Sequence, residues 1–197
     1  MIWRSKAPFR LGLAGGGTDV SPYSDLYGGA ILNATISLYA HASIESIPQP
    51  KIILKSIDQG IELVFSSEEL LPSEGLLKLQ KGLINRLKKD QILGNQGFCL
   101  TTNMDVPAGS GLGTSSTLMV TMLKAFSEML NIPFGDYDLA HLAFIIERVD
   151  LNLAGGKQDQ YAATFGGVNY MEFYKDDQVL VNPLRIKQDY LSELEHN

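Results

Sequence analysis

The chain has 197 residues, of which 45% are hydrophobic and 19% are charged, and its formal net charge at pH 7 is -6. This length suits one domain, or one domain and a small part of a second, and the acidic balance argues against nucleic acid or anionic lipid as the main partner. The sequence contains no apolar run of about 18 residues that would predict a membrane span, and no apolar run follows the charged start as in a signal peptide. We therefore expect a cytoplasmic globular protein.

The spacing of apolar residues predicts an order in which strands precede most of the helices. The turn Asp58-Gln59-Gly60 between two short apolar runs predicts a hairpin. In chain order, the predicted elements are one long strand or two over 31–44, hairpin strands over 51–57 and 61–65, a helix over 76–87, a strand over 97–102, helices over about 115–130 and 136–149, and hairpin strands over 167–174 and 178–181. This order predicts an α+β fold with the helices packed on one face.

Glycine is the one residue type that is unusually frequent in this sequence. There are 19 glycines in 197 residues, which is about 10% against a typical 7%. Thirteen of them lie in clusters at residues 12–17, 28–29, 109–113, 155–156 and 166–167. Clustered glycines indicate backbone that approaches another group closely or adopts positive φ angles.

The most informative cluster, Pro107-Ala108-Gly109-Ser110-Gly111-Leu112-Gly113-Thr114-Ser115-Ser116, lies between a predicted strand and a predicted helix. Alternating glycines allow backbone N–H groups to converge on an anion, and the helix N-terminus adds unpaired donors and the positive end of its dipole. The segment is not a Walker A loop, because it lacks that spacing and the lysine. The residues alone predict either a phosphate-binding loop or a glycine-rich turn with Ser/Thr caps.

This segment resembles the P-x-x-x-G-L-G-S-S-A phosphate loop of the GHMP kinases, which include galactokinase, homoserine kinase, mevalonate kinase and phosphomevalonate kinase. Residues 8–19, PFRLGLAGGGTD, resemble the first motif, which in galactokinases reads P-G-R-V-N-L-I-G-E-H-T-D. Glu147 and Asp159-Gln160, followed by Gly166-Gly167, resemble the galactokinase segment from a helix glutamate to an M-D-Q triplet, with the same twelve-residue separation. The three blocks follow the family's order.

The resemblance implies an ATP-dependent kinase with Mg²⁺ as cofactor. Asp159 matches the catalytic aspartate, which accepts the proton of the attacking hydroxyl, and Arg10 matches the basic residue near the transferred phosphoryl group. Ser115 and Glu147 match the Mg²⁺ ligands. The residues that match the nucleotide-binding loop are Pro107, Gly109, Ser110, Gly111, Leu112, Gly113, Thr114, Ser115 and Ser116.

Each of these side chains also has a structural interpretation from its local sequence. Arg10 fits a surface position on a strand, and Glu147 fits the solvent-facing side of a helix beside Arg148. Asp159 lies among glycine and polar residues and fits a turn. The sequence by itself leaves these interpretations open.

Departures from galactokinase point to the substrate. Gly16 and Gly17 replace the Glu-His pair that precedes Thr-Asp, which removes a carboxylate and opens volume for a larger or negatively charged sugar tail. Asp19 is fitted to accept hydrogen bonds from sugar hydroxyls, and Lys157 to bind a sugar phosphate, with an exposed loop lysine as the alternative. The segments around these residues resemble heptose 7-phosphate kinases and fucokinase-like enzymes.

The resemblance implies that residues 1–185 form a GHMP kinase N-terminal domain with a fold like domain 2 of ribosomal protein S5. Residues 186–197 are expected to begin the connection to a ferredoxin-like C-terminal domain that this chain lacks, so we expect low activity or self-association of the chain alone. The implied reaction phosphorylates the anomeric hydroxyl of a heptose 7-phosphate, a small-molecule sugar phosphate. The alternatives are a fucokinase-like or other sugar 1-kinase and a non-catalytic nucleotide- or sugar-binding fragment.

Overall fold

The structure, a computed structural model, describes residues 1–196, except for the side chains of residues 194 and 195. The strands are β1 (Ile2–Ala14), β2 (Gly29–Ile47), β3 (Lys51–Ser56), β4 (Ile61–Ser66), β5 (Gly97–Met104), β6 (Val168–Phe173) and β7 (Val179–Pro183). The helices are α1 (Tyr23–Tyr27), α2 (Lys78–Lys89), α3 (Thr114–Leu130), α4 (Asp136–Ile145), a π-helix (Ile146–Asp150), α5 (Gln158–Phe165) and α6 (Gln188–His196). Within the described chain, no helix is long and apolar enough to cross a membrane.

The strands form one sheet that is organised around the long strand β2. Along one edge β2 pairs with β1, and along the other it pairs with β6 through its first half and with β5 through its second half, all antiparallel. The order along the sheet is β4-β3-β5-β2-β6-β7, and the pairing of β3 with β5 is parallel. The first half of β2 therefore connects the glycine-rich end of β1 to β6.

The core lies between the sheet and the helices. Burial alternates along β3 and β5, so one face of the sheet is covered and the other is more exposed, as the period of two in a strand requires. Phe98 of β5 and Phe126 of α3 are fully buried, and their rings meet edge to face with centroids 5.5 Å apart. The α+β prediction with helices on one face is confirmed.

Most predicted elements are also confirmed, and the exceptions have physical causes. The predicted helix 136–149 is an α-helix only as far as Ile145, and the next five residues form a π-helix in which Leu151 N–H donates to the Ile146 carbonyl. This wider turn rotates Val149 out of the predicted apolar stripe, and its side chain is exposed. The strand β1 was not predicted; it contains Pro8, after which its register with β2 shifts, and proline is tolerated in an edge strand.

Truncation of Phe98 tests the position of the core. We expect Phe98→Ala to lower the free energy of unfolding by about 3–5 kcal/mol, because it removes a buried ring and leaves a cavity against Phe126. Val64→Ala in β4 is the control, since Val64 is more than half exposed and should cost less than about 1 kcal/mol. Urea denaturation measures both variants, and similar losses would contradict the assignment of the covered face.

Candidate active site

The glycine-rich loop between β5 and α3 has the backbone conformation that the sequence pattern predicts. Gly109, Gly111 and Gly113 have φ angles of 81°, 78° and 75°, a region that favours glycine. Gly113 precedes the first residue of α3, and no side chain caps this end of the 17-residue helix. Its first-turn N–H groups are therefore available to an anion, as in other phosphate sites at helix N-termini.

An arginine and an aspartate that are far apart in the sequence form an ion pair beside this loop. Arg10 of β1 contacts Asp159 Oδ1 through Nε at 2.6 Å and through Nη2 at 2.5 Å. Its Nη1 donates to the Gly111 carbonyl oxygen at 3.1 Å, which ties the pair to the loop. The solvent-exposed fractions of the two side chains are 14% and 21%, so both groups are shielded but still accessible to a ligand.

Asp159 also lies against the last glycine of the loop. A Cβ atom built at Gly113 would be 3.0 Å from Asp159 Cγ and 3.2 Å from its Oδ2. The contacts from Arg10 use Oδ1, so Oδ2 is the oxygen nearer to the start of α3. The structure therefore places a carboxylate, a guanidinium and the N-terminus of α3 around one point. Asp159 lies in the first helical turn of α5 and not in a turn between elements. The interpretation of Asp159 as a turn residue is therefore wrong.

A second cluster is centred on Glu147, whose side chain is fully buried. Its Oε1 accepts a hydrogen bond from Ser115 Oγ at 2.6 Å, and its Oε2 accepts one from Gln160 Nε2 at 2.7 Å. Gln160 Nε2 also lies 2.9 Å from Ser116 Oγ, and Arg148 Nη1 lies 4.0 Å from Glu147 Oε1. The alternative of a solvent-facing Glu147 is therefore wrong.

The donor set of this cluster fits Mg²⁺. A serine hydroxyl and a carboxylate already meet at the start of α3, next to the loop, and Mg²⁺ takes one or two protein oxygens together with water and phosphate oxygens. Among the described residues there is no group of three or more His, Cys, Asp and Glu side chains that could hold a metal. A magnesium ion bound here would thus depend on phosphate oxygens for part of its coordination.

Asp19 anchors the helix that carries Asp159 and Gln160. Its Oδ2 accepts hydrogen bonds from the backbone N–H groups of Lys157 and Gln158, at 2.7 and 2.9 Å. Its side chain is buried, and a Cβ at Gly156 would collide with the carboxylate, so only glycine fits there. The structure thus gives Asp19 a role in holding the N-terminus of α5.

Lys157 lies in a cavity of about 260 Å³ beside Asp19, Phe144 and Arg148. Its side chain is buried, and its Nζ forms an ion pair with Asp177 Oδ1 at 2.7 Å. The alternative of an exposed loop lysine is therefore wrong.

Gly16 and Gly17 form the tip of a turn that Thr18 closes through hydrogen bonds to the Gly15 carbonyl oxygen. Among the described residues other than the chain neighbours, no atom lies within 4 Å of a Cβ built at either glycine, and of the two only Gly17 has a positive φ, at 86°. The turn is exposed, and the predicted role of its open space in binding a sugar stays a prediction.

Two features of the site were missed by sequence reasoning. One is a cavity of about 340 Å³ that is lined by Gln59, Leu77, Lys78, Leu79, Gln80, Met104, Ala108, Gly109, Thr114, Ser115 and Leu118. It opens beside the glycine-rich loop, but its walls come from five separate segments of the chain, and no local sequence pattern indicates that these segments meet. The other is the amide of Gln160, which joins Glu147 and Ser116 by hydrogen bonds.

The residue after Gln160, Tyr161, is also buried. Burial raises the pKa of the Tyr161 phenol to about 12, so it is protonated at neutral pH.

Comparisons with known proteins agree with this geometry. Residues 78–167 match the protein-family model described as GHMP kinases N terminal domain. The chain is 53% identical to the D-glycero-alpha-D-manno-heptose 7-phosphate kinase of Campylobacter jejuni, over 98% of this chain and 57% of that protein. It is 29% identical to the L-fucokinase/L-fucose-1-P guanylyltransferase of Bacteroides fragilis, over 87% of this chain and 20% of that protein.

The fold also matches a crystal structure. That structure is described as a D-glycero-D-manno-heptose 1-phosphate kinase from Bacteroides thetaiotaomicron; it is 55% identical and superposes with a TM-score of 0.94. The match covers 99% of this chain and 63% of that chain. This chain therefore spans about three fifths of the length of the two heptose-phosphate kinases to which it is similar.

The anchoring of α5 by Asp19 can be tested without any ligand. We expect Asp19→Ala to lower the free energy of unfolding by about 1–3 kcal/mol, because two backbone N–H groups lose a charged acceptor. Hydrogen exchange at the amides of Lys157 and Gln158 should accelerate in the same variant. Asp19→Asn keeps the volume and one acceptor oxygen, so it should show a smaller effect on both measurements. Unchanged exchange in Asp19→Ala would show that the carboxylate does not hold this helix.

Proposed function

Because the chain belongs to the GHMP kinase superfamily, we propose that it forms the nucleotide- and sugar-binding part of an ATP-dependent kinase. The proposed reaction transfers the γ-phosphoryl group of ATP to the anomeric hydroxyl of a heptose 7-phosphate. The observation that carries the proposal is the Arg10–Asp159 ion pair, held against the glycine-rich loop at the N-terminus of α3. The similarity to a heptose 7-phosphate kinase over nearly the whole chain supports the choice of sugar.

In this proposal the loop binds the phosphates of ATP and the ion pair acts on the acceptor. The anomeric oxygen forms a bond to the γ-phosphorus, the bond from that phosphorus to the bridging oxygen breaks, and ADP leaves with that electron pair. The hydroxyl proton passes to Asp159, whose Oδ2 lies on the loop side of the carboxylate. Arg10 stabilises negative charge near the transferred group. Positioning of the two reactants supplies much of the rate enhancement in such transfers.

Ser115 and Glu147 would hold Mg²⁺ in this proposal. A bound Mg²⁺ ion would neutralise part of the negative charge of the phosphates. The hydroxyl donates a hydrogen bond to the carboxylate at 2.6 Å. Coordination would require them to turn their oxygens toward the ion. Both lie on rigid helices, which favours a defined position for the phosphates.

The cavity of about 340 Å³ beside the loop is our candidate for the nucleoside. It is lined by Ala108 and Gly109 of the loop and by Thr114 and Ser115 of α3, so a nucleoside bound there would place its phosphates at the helix N-terminus. Apolar wall residues such as Leu77 and Met104 suit the faces of a base. These residues complete the proposed ATP site.

For the sugar, we propose that the open space at Gly16 and Gly17 receives the tail of the molecule. Asp19 and Lys157 line a cavity of about 260 Å³, where Lys157 can bind the 7-phosphate if its ion pair with Asp177 opens. Asp19 can contribute to sugar binding through the oxygen that does not hold α5. A smaller sugar without a phosphate would leave this space unfilled, which distinguishes the heptose 7-phosphate from fucose.

A phosphoryl-transfer assay tests the proposed function directly. The protein is incubated with ATP, Mg²⁺ and each of four acceptors: heptose 7-phosphate, unphosphorylated heptose, fucose and galactose. ³¹P NMR identifies an anomeric phosphate in the product. We expect the highest kcat/KM for heptose 7-phosphate. Preference for fucose would support the fucokinase-like alternative, and nucleotide binding without transfer to any acceptor would support a non-catalytic fragment.

Replacement of Ser115 tests the magnesium assignment. We expect Ser115→Ala to raise the Mg²⁺ concentration needed for half-maximal activity at least about tenfold, because it removes a proposed ligand, and loss of even an outer partner of a metal ligand typically costs about 10–100-fold. The fold should remain, with a loss of about 1–3 kcal/mol in the free energy of unfolding at most, because the buried Glu147 carboxylate loses one donor. Ser127→Ala is the matched control: it removes a hydroxyl hydrogen bond to the Ile132 carbonyl at the other end of α3. A loss of stability in Ser115→Ala with normal Mg²⁺ dependence would contradict the assignment.

Replacement of Gly16 tests the position of the sugar tail. Gly16→Glu introduces a carboxylate where we place the 7-phosphate, so kcat/KM for heptose 7-phosphate should fall at least about tenfold, which corresponds to 1.4 kcal/mol. The fall for unphosphorylated heptose should be much smaller. Gly16→Ala is the control for the backbone, and it should be nearly neutral because Gly16 has no positive φ and no neighbour within 4 Å. Equal losses for both sugars in Gly16→Glu would place the phosphate elsewhere.

A further inference from the structure

The side chain of Gln160 is fully buried at the contact between α5 and the start of α3. Its Nε2 lies 2.7 Å from Glu147 Oε2 and 2.9 Å from Ser116 Oγ. From this geometry we infer that Gln160 is a positioning residue that fixes the Glu147 carboxylate for Mg²⁺. The inference rests on the proposed function, and it adds to the site a residue that contacts neither ATP nor sugar.

The orientation of the amide is dictated by the carboxylate. If the amide were flipped, its oxygen would face Glu147 Oε2, and two acceptors would meet without a proton between them. The nitrogen must therefore point to Glu147, which leaves Gln160 Oε1 buried without a hydrogen-bond partner among residues 1–196. An unpaired buried acceptor costs about 1–3 kcal/mol. The protein tolerates this cost to keep a donor on the carboxylate.

The alternative partner of Glu147 explains why a fixed orientation matters. Arg148 Nη1 lies 4.0 Å from Glu147 Oε1, within reach of a closer ion pair. Ser115 and Arg148 face the same oxygen, Oε1, so a rotation of the carboxylate toward Arg148 would disturb its hydrogen bond with Ser115. Gln160 holds the opposite oxygen, Oε2, and so opposes this rotation. Outer partners of this kind typically change metal affinity by about 10–100-fold.

The same helix links the metal site to the acceptor site. Asp159 and Gln160 are consecutive in α5, and their side chains diverge: Asp159 contacts Arg10 and the loop, and Gln160 contacts Glu147 and Ser116. A displacement of α5 would therefore disturb both the proton acceptor and the metal ligand. Gln160 couples the two by hydrogen bonds rather than by a shared ligand.

Gln160→Met tests the inference, because methionine keeps the side-chain volume and removes the donor. Mn²⁺ binding in the presence of a non-hydrolysable ATP analogue, followed by electron paramagnetic resonance, reports the metal site apart from turnover. We expect the affinity for Mn²⁺ to fall by about 10–100-fold, while the metal-free analogue binds as in wild type. The melting temperature is recorded in parallel.

Asn169→Leu is the matched control. Asn169 is another fully buried amide with an unpartnered oxygen, but its Nδ2 donates to the Gly166 carbonyl oxygen at 2.8 Å. We expect this variant to lose stability without loss of Mn²⁺ affinity. If Gln160→Met lowers the melting temperature to the same degree and leaves Mn²⁺ affinity unchanged, the role of Gln160 is purely structural and the inference is overturned.

A double-mutant cycle keeps the test decisive if Gln160→Met folds poorly. Gln160→Met leaves the buried Glu147 carboxylate with one donor fewer. Glu147→Gln removes the charge that needs this donor, so the double variant should fold. If Gln160 acts through Glu147, Gln160→Met should weaken Mn²⁺ binding less than about threefold in the Glu147→Gln background. A full additional loss there overturns the inference. Absence of Mn²⁺–analogue binding by the wild-type protein overturns the proposed function and, with it, the inference.

Discussion

One carboxylate oxygen of Asp19 accepts hydrogen bonds from two successive backbone N–H groups, those of Lys157 and Gln158, at the start of α5. This interaction crosses 138 positions of the sequence and joins the glycine-rich turn after β1 to the helix that carries Asp159 and Gln160. An eight-residue helix is too short to be stable by itself. The positions of Asp159 and Gln160, and through them of Arg10 and Glu147, therefore depend on a contact that is formed only in the folded chain.

The elements that sequence patterns predicted are those whose stability is largely local. The helix α3 has 17 residues with a continuous apolar stripe, and its predicted limits are nearly those of the structure. The hairpin of β3 and β4 was predicted from the turn Asp58-Gln59-Gly60 between apolar runs. By contrast, β1 contains Pro8, and α5 is short and buried among other elements, so their formation depends on β2 and on Asp19. Neither the pairing of β1 with β2 nor the contact of α5 with Asp19 produces a pattern in the local sequence.

The site was predictable in its residue types but not in its connections. The motif resemblance named Arg10, Asp159, Ser115 and Glu147, and the structure brings them together in two adjacent pairs. Periodicity alone allowed Glu147 to face solvent, because no local pattern indicates the π-helix that turns it inward. Burial of a carboxylate requires donors around it. The sequence could not identify Gln160 as one of these donors, since it lies thirteen residues away, in a different helix.

The glycine clusters differ in what replaces the missing side chain. At Gly113, Gly155 and Gly156, a Cβ atom would meet the charged groups of Asp159, Arg148 and Asp19, respectively. At each of these three glycines, a charged side chain of the protein occupies the space that a Cβ atom would need. At Gly16 and Gly17 no atom of the described chain lies within 4 Å of the missing Cβ. Glycine there leaves open space at an exposed turn that lies close in the sequence to Asp19, and we propose that a ligand occupies this space.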